Sequence, residues 1–295
     1  MDSATAWLLA TRPKTLPAAV APVIVGCAMA YVDRDFTLVP AVACLAVALL
    51  LQIGVNLAND YFDFTKGIDS ADRLGPVRVT QSGLIAPGRV KAAMMTAFAL
   101  SLLPGLYLVA IGGWPVVVIG FASVIAALGY SGGPYPLASH GLGDLFVFVF
   151  FGLVAVCGTY YVQVLRLSPM VLLMGSTVGL MITAILVVNN LRDIETDQRA
   201  GKRTLAVMIG RRKTQSEYAF LLAGAYAVPV FLWLGRLASA WLLLPLATLP
   251  LALLHIRLIR QPSDGPALND LLAKTARLAF FFSLLLAIGL ILSVS

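Results

Sequence analysis

The chain has 295 residues, of which 60% are hydrophobic and only 12% charged, with a formal net charge of +7 and a mean hydropathy of +0.91. A soluble domain carries about 45–50% apolar and about 25% charged residues, so too few ionisable groups remain here to coat a water-exposed surface. Soluble globular, disordered and collagen-like classes are excluded, and the chain reads as an all-α integral membrane protein.

Nine apolar runs approach the ~17–25 residues that a spanning helix requires. In chain order they are Leu16 to Val32, Leu38 to Asp60, Ala92 to Ile111, Trp114 to Tyr130, Leu142 to Leu165, Pro169 to Asn190, Tyr218 to Leu234, Leu237 to His255, and Ala276 to Ser293. Their continuity favours helices, because barrel strands would alternate polar and apolar residues. Met1 to Leu9 lacks the basic start and cleavage site of a removable signal, so the first run is expected to be retained. Cys27, Cys44 and Cys157 lie inside apolar runs and have neither a disulfide pattern nor metal-type spacing.

Nine spans place the two termini on opposite faces. One side collects Arg12 and Lys14; then Lys66, Arg73, Arg78, Arg89 and Lys91; then Arg192, Arg199, Lys202, Arg203, Arg211, Arg212 and Lys213; and finally Arg257, Arg260, Lys274 and Arg277. Arg34, Arg166 and Arg236 are left opposite. By the positive-inside rule the N-terminus is cytoplasmic and the C-terminus outside. Much of the positive charge is therefore read as topological, and nucleic-acid binding is not expected. Ser131 to Gly141 is a cytoplasmic loop with no Lys or Arg, built from glycine and proline. The hydrophilic stretches Tyr61 to Lys91 and Leu191 to Glu217 are too short for cores of their own. Residues 1–295 thus read as one transmembrane domain in the cell membrane.

Two acidic clusters stand at cytoplasmic helix ends. Asn56, Asp60 and Asp63 share one face at the end of the second helix, followed by Asp69 and Asp72. Asn190, Asp193 and Asp197 occupy the matching end of the sixth. Each cluster precedes a basic, glycine-containing loop: Lys66, Gly67, Arg73 and Arg78 after the first, Gly201, Lys202 and Arg203 after the second. Carboxylates stacked on one face repel unless a cation separates them, and hard oxygen donors suit Mg²⁺, which commonly bridges carboxylates to substrate phosphates. Lys and Arg would take the remaining phosphate oxygens. Such a site at the ends of membrane helices implies a lipid diphosphate. The competing readings are solvated helix flanks and a cation-coupled transporter.

These stretches resemble the UbiA superfamily of intramembrane aromatic prenyltransferases. The first aspartate motif is matched by Asn59, Asp60, Asp63 and Asp69, the second by Asp193 and Asp197. Further similarity, to the branch acting on 1,4-dihydroxy-2-naphthoate in menaquinone synthesis, lies in Arg12-Pro-Lys-Thr-Leu-Pro17, Gly75-Pro-Val-Arg78, Gln81-Ser-Gly83, Gly132-Gly-Pro-Tyr-Pro-Leu137, Gly141-Leu-Gly-Asp144 and Gly201-Lys-Arg-Thr-Leu205. Relatives that use 4-hydroxybenzoate carry a basic pair after a Tyr-Pro element, whereas Tyr135 to His140 has none.

The resemblance implies a UbiA-type bundle, a Mg²⁺ cofactor, a polyprenyl diphosphate donor and a naphthoate acceptor, joined with loss of diphosphate and carbon dioxide. It assigns metal binding to Asp60, Asp63, Asp193 and Asp197, with Asn56, Asn59 and Asn190 as further ligands or orienting groups. Lys202, Arg73 and Arg78 are expected to hold diphosphate, with Arg12 and Lys14 behind them. Asp69 or Asp72 is expected to deprotonate the acceptor. Tyr61, Tyr130 and Tyr135 are candidates for lining the acceptor site or shielding an allylic cation, and His140 is read as a loop hydrogen-bonder.

Overall fold

Apolar segments in lipid must satisfy their own backbone groups, which restricts spanning structures to helices and closed barrels. The computed structural model describes residues 2–67, 74–75, 77–261 and 264–294, and among them no strand occurs. The helices are α1 (Ser3–Thr11), α2 (Pro17–Val32), α3 (Leu38–Thr65), α4 (Pro87–Gly112), α5 (Trp114–Ser131), α6 (Gly143–Val164), α7 (Pro169–Arg192), α8 (Ile194–Arg199), α9 (Leu205–Ile209), α10 (Arg211–Leu234), α11 (Ala240–Arg260) and α12 (Gly265–Leu292). Eight of them are long and apolar enough to cross a membrane. The count reaches nine if the segment Ser3–Thr15 and α2, bent by 48° to one another, form one span.

Each expected span is covered by a helix for most of its length, although Leu237 to Ser239 precede α11, and several helices outrun the spans. α3 continues to Thr65, α4 starts at Pro87, α10 at Arg211 and α12 at Gly265, while α11 runs on to Arg260. Hydropathy marks where a helix meets lipid, not where its hydrogen-bond ladder stops. The extra turns are polar, and those on α3 carry Asp63 beyond the apolar stretch. The second cluster does not sit on one continuous helix. α7 ends at Arg192, Asp193 caps it with φ −97° and ψ 7°, and α8 begins afresh at Ile194.

The larger core joins α2, α7, α10, α11, α12 and the far half of α6. Helix association in lipid relies on close backbone approach at small residues, and α6 meets α7 in this way. A Cβ on Gly152 would lie 2.6 Å from the Gly179 Cα and 2.7 Å from the Gly175 carbonyl oxygen. At that crossing, Phe148–Val154 of α6 widens into a π-helical turn. A second packed group ties α1 and α3 to the start of α4.

Between α2, α3, α4, α5 and α6 the packing leaves an open cavity of about 680 Å³, lined almost wholly by apolar side chains. Its polar lining is concentrated on the α3 side, at Gln52, Asn56 and Asn59, and at Tyr130 of α5.

Candidate active site

Both acidic clusters come to the same end of the bundle. Lys202, in the turn between α8 and α9, places Nζ 3.4 Å from Asp63 Oδ2 and 4.0 Å from Asp197 Oδ1. One ammonium group therefore stands between carboxylates from two distant parts of the chain. Its main chain is fixed by Lys202 N–H donating to the Asp197 carbonyl at 2.9 Å, and the adjacent Arg203 N–H donates to Ser139 O at 2.9 Å.

Around this centre each acid has a distinct environment. Asp60, 2% exposed, accepts from the main-chain N–H groups of Val79 and Thr80 at 3.0 and 3.1 Å. It thereby folds the basic loop after α3 back over the helix end. The same loop delivers the buried Arg78, whose guanidinium donates to Asp63 Oδ2 at 2.9 Å. Asp193 is held by its neighbour Arg192, with Nε to Oδ1 at 2.8 Å and Nη2 to Oδ2 at 2.5 Å.

Arg192 is 1% exposed and also reaches Asn189 Oδ1 at 2.8 Å and Asn269 Oδ1 at 2.6 Å. Asn269 in turn donates to Leu74 O at 2.7 Å, so one buried guanidinium joins α7, α12 and the loop after α3. By its position in the sequence Arg192 counts among the topological cations. A single arginine beside an aspartate carries no sign of burial until α12 is seen to close over it.

The asparagines divide. Asn59 Oδ1 accepts from the Ser131 hydroxyl at the end of α5. Asn190 is buried at the end of α7. Asn56, expected among the metal ligands, donates Nδ2 to Thr11 O at 2.9 Å and to Thr15 Oγ1 at 3.0 Å, and its Oδ1 faces Gln52 Nε2 at 3.5 Å. The geometry makes it a strut for the bend between α1 and α2, the turn that carries Arg12, in a left-handed conformation with φ 50°, and the exposed Lys14. Among the described residues no three His, Cys, Asp or Glu side chains gather into a ready metal nest. Cations and amides hold the carboxylates apart instead.

The cation-free loop after α5 closes over the acids. Lys66 Nζ donates to Ser131 O at 2.8 Å and Gly133 O at 3.1 Å. Burial lowers the Lys66 pKa from its ordinary value and nearby Lys202 adds to this, against the pull of Asp63. The close fit needs glycine: a Cβ on Gly132 would stand 2.6 Å from Leu128 O and 2.8 Å from the Phe62 ring.

Of the three tyrosines, Tyr130 lines the cavity. Tyr61 packs edge-on to Phe62 with Lys91 Nζ 5.9 Å from its ring centroid. Tyr135 is exposed, lines an outer groove beside α5 and α6 that shares Val117, Phe121, Ala126, Phe146 and Phe150 with the cavity wall, and stacks on His140 at 3.5 Å between ring centroids. Of the three, Tyr130 is the one on the cavity wall. His140 Nδ1 lies 2.7 Å from Pro136 O, a contact within its own loop. Asp69, Asp72 and Arg73 lie outside the described residues.

Lipid-embedded helices whose polar ends close into an acid-and-base rim above an apolar cavity describe an intramembrane site for an amphiphile with an anionic head. The UbiA prenyltransferase family matches residues 19–285, and the chain belongs to that family. It is 40% identical over 294 residues to the 1,4-dihydroxy-2-naphthoate octaprenyltransferase of Escherichia coli, covering 98% of this chain and 96% of that protein. It is likewise 40% identical to the protein of the same name from Mycobacterium tuberculosis, covering 97% of each. In fold it is similar to a UbiA homologue from Archaeoglobus fulgidus solved with GPP and Mg²⁺, with a TM-score of 0.70 and 16% identity over 97% of this chain and 99% of that one.

Proposed function

We propose that this protein transfers a polyprenyl group from a polyprenyl diphosphate to 1,4-dihydroxy-2-naphthoate, releasing diphosphate and carbon dioxide and giving demethylmenaquinol. The observation that carries the reading is Lys202 set between Asp63 and Asp197, one helical turn beyond Asn59 at the polar end of an apolar cavity. An anionic head fits the rim and a hydrocarbon chain fits the cavity. Relatives named for this reaction match nearly the whole chain.

The donor set suits Mg²⁺, since every candidate ligand is an oxygen and Mg²⁺ is usually held by one or two carboxylates plus substrate phosphates. Asp63 and Asp197, flanking a shared ammonium, would hold it, with Asp60 and Asp193 braced behind them by main-chain N–H groups and by Arg192. When bound, the metal neutralises charge on the leaving diphosphate.

The protein's own part is binding and electrostatics. Lys202 and Arg78 supply fixed positive charge where negative charge grows as the allylic carbon–oxygen bond breaks, an interaction stronger in the transition state than in the ground state. Arg12 and Lys14, in the turn before α2, are assigned to the same diphosphate, as is Arg73. The Tyr130 ring, on the cavity wall, shields the allylic cation, and apolar walls exclude the water that would quench it. Asp69 or Asp72 takes the acceptor's hydroxyl proton, raising the electron density of the ring carbon that attacks. The rim faces the cytoplasm, with the N-terminus on that side and the C-terminus opposite.

The test is an assay of purified protein with labelled polyprenyl diphosphate, Mg²⁺ and a panel of acceptors. The naphthoate should be prenylated and 4-hydroxybenzoate left unused. Equal use of both would overturn the acceptor assignment, and no product with any acceptor would overturn the enzyme reading.

A further inference from the structure

Lys66 closes the C-terminal end of α3, one turn beyond Asp63. Its Nζ donates to Ser131 O at 2.8 Å and to Gly133 O at 3.1 Å. An ammonium group has three donors, and among the described residues the third has no partner. The residue is exposed, so that donor is open to an incoming group. Lys202 and Arg78 both spend their charge on Asp63. Lys66 lies near the same carboxylate but forms no ion pair among the described residues, and two neutral carbonyls leave its charge unmatched.

The ammonium stands beside the polar end of the cavity. Ser131 is held on two atoms, its carbonyl oxygen by Lys66 and its hydroxyl by Asn59, which itself lines the cavity. The preceding residue, Tyr130, lines the cavity from α5, with its hydroxyl at the start of α6, 3.3 Å from where a Cβ on Gly143 would stand. That hydroxyl also has no hydrogen-bond partner among the described residues, but it is neutral. A flat ring seated between Asn59 and Tyr130 therefore has an unmatched cation one residue away. The loop 131–141 contributes no Lys or Arg at this point, so the charge comes to it from the end of α3.

Resting on the proposed naphthoate reaction, we infer that the Lys66 ammonium binds the 2-carboxylate of the acceptor and makes the enzyme select the acid over the corresponding diol. A hydrogen bond between two ionised groups is stronger than a neutral one, and this one leaves Lys202 and Arg78 to the diphosphate. An acceptor without the carboxylate gains nothing from Lys66 and is discriminated against by the lost contact.

The experiment measures kcat and KM for 1,4-dihydroxy-2-naphthoate, for 1,4-dihydroxynaphthalene, which lacks the carboxylate, and for the polyprenyl diphosphate, in wild type, Lys66→Met, Lys66→Gln and Lys66→Arg. The difference in intrinsic reactivity between the two acceptors is common to every variant and cancels when their kcat/KM ratios are compared. If the diol is not turned over, its inhibition constant against the naphthoate takes the place of its kcat/KM. The expected result is a wild-type preference for the acid that shrinks by roughly tenfold or more in Lys66→Met and Lys66→Gln, through a raised KM for the naphthoate with the donor KM unchanged. Lys66→Gln keeps a donor for the loop carbonyls without the charge, whereas Lys66→Arg keeps the charge and should retain most of the preference. A lysine that only fastens the loop would slow both acceptors alike and leave the ratio unchanged, and one that serves the diphosphate would raise the donor KM. Either result, or a wild type indifferent to the carboxylate, would overturn the inference while leaving the prenyltransferase reading standing. If wild type prenylates neither compound, the reading itself fails and takes this inference with it.

Discussion

Lys202 and Asp63, 139 positions apart in the chain, meet with Nζ 3.4 Å from Oδ2 at the rim of the membrane cavity. The contact joins the polar end of α3 to the turn after α8, and Asp197 shares the same ammonium at 4.0 Å. Removing that ammonium leaves two carboxylates facing each other and takes away a charge aimed at the leaving group. Lys202→Met should lower kcat by about 100-fold or more, in line with the loss of one preorganised charge-stabilising group. Lys202→Arg should retain part of it. Steady-state rates at saturating donor and Mg²⁺ check this, and a Lys202→Met enzyme within a few-fold of wild type would contradict it.

Arg192 is the most enclosed cation described, bonded to Asp193, Asn189 and Asn269. Breaking a buried pair by removing one partner costs about 3–5 kcal/mol, because the other charge is left uncompensated. Arg192→Ala should therefore lower the thermal unfolding midpoint in detergent markedly. Arg192→Lys should rescue it only in part, since an ammonium lacks the bidentate fork. A midpoint unchanged in Arg192→Ala would show that this network does not hold α7 to α12.

Asn56 offers a test between ligand and strut. Asn56→Ala should speed proteolysis of the α1–α2 bend, because it removes the bonds to Thr11 and Thr15. The Mg²⁺ concentration giving half-maximal rate should stay within about twofold of wild type. A metal ligand would shift that concentration by at least the about 10–100-fold seen for groups that only orient the ligands of a metal site.

The α6–α7 crossing is sterically closed. Gly152→Val should yield little folded protein, since even a Cβ would sit 2.6 Å from the Gly179 main chain and overpacking costs ~1–3 kcal/mol or more. Arg89→Ala, at an exposed position, should leave folding and turnover unchanged. Monodispersity by size exclusion separates the two, and equal behaviour would contradict the packing argument.

The legibility of the sequence followed from what each signal depends on. Spans and acidic clusters depend on neighbours within one helix, so apolar run length and the Asn56, Asp60, Asp63 spacing placed them well. The break at Asp193 was not legible, because its residues have no glycine or proline to mark it. Partnerships closed by distant segments were hidden for the same reason. Asn269 lies 77 positions from the Arg192 it binds, and Thr11 is 45 from Asn56. Tyr130 and Tyr135 looked alike in sequence, yet one faces the cavity and the other stacks outside on His140.

The central claim is that Asp63 and Asp197 belong to one diphosphate site. The most direct measurement is calorimetric binding of a non-ionisable thiolo analogue of geranyl diphosphate to wild type, Asp63→Asn, Asp197→Asn and the double variant, each with Mg²⁺ and with EDTA. Each single substitution should abolish the Mg²⁺-dependent part of binding, and the double variant should bind no more weakly than either single one. Independent, additive losses, or Mg²⁺-dependent binding retained when either carboxylate is removed, would contradict a shared site.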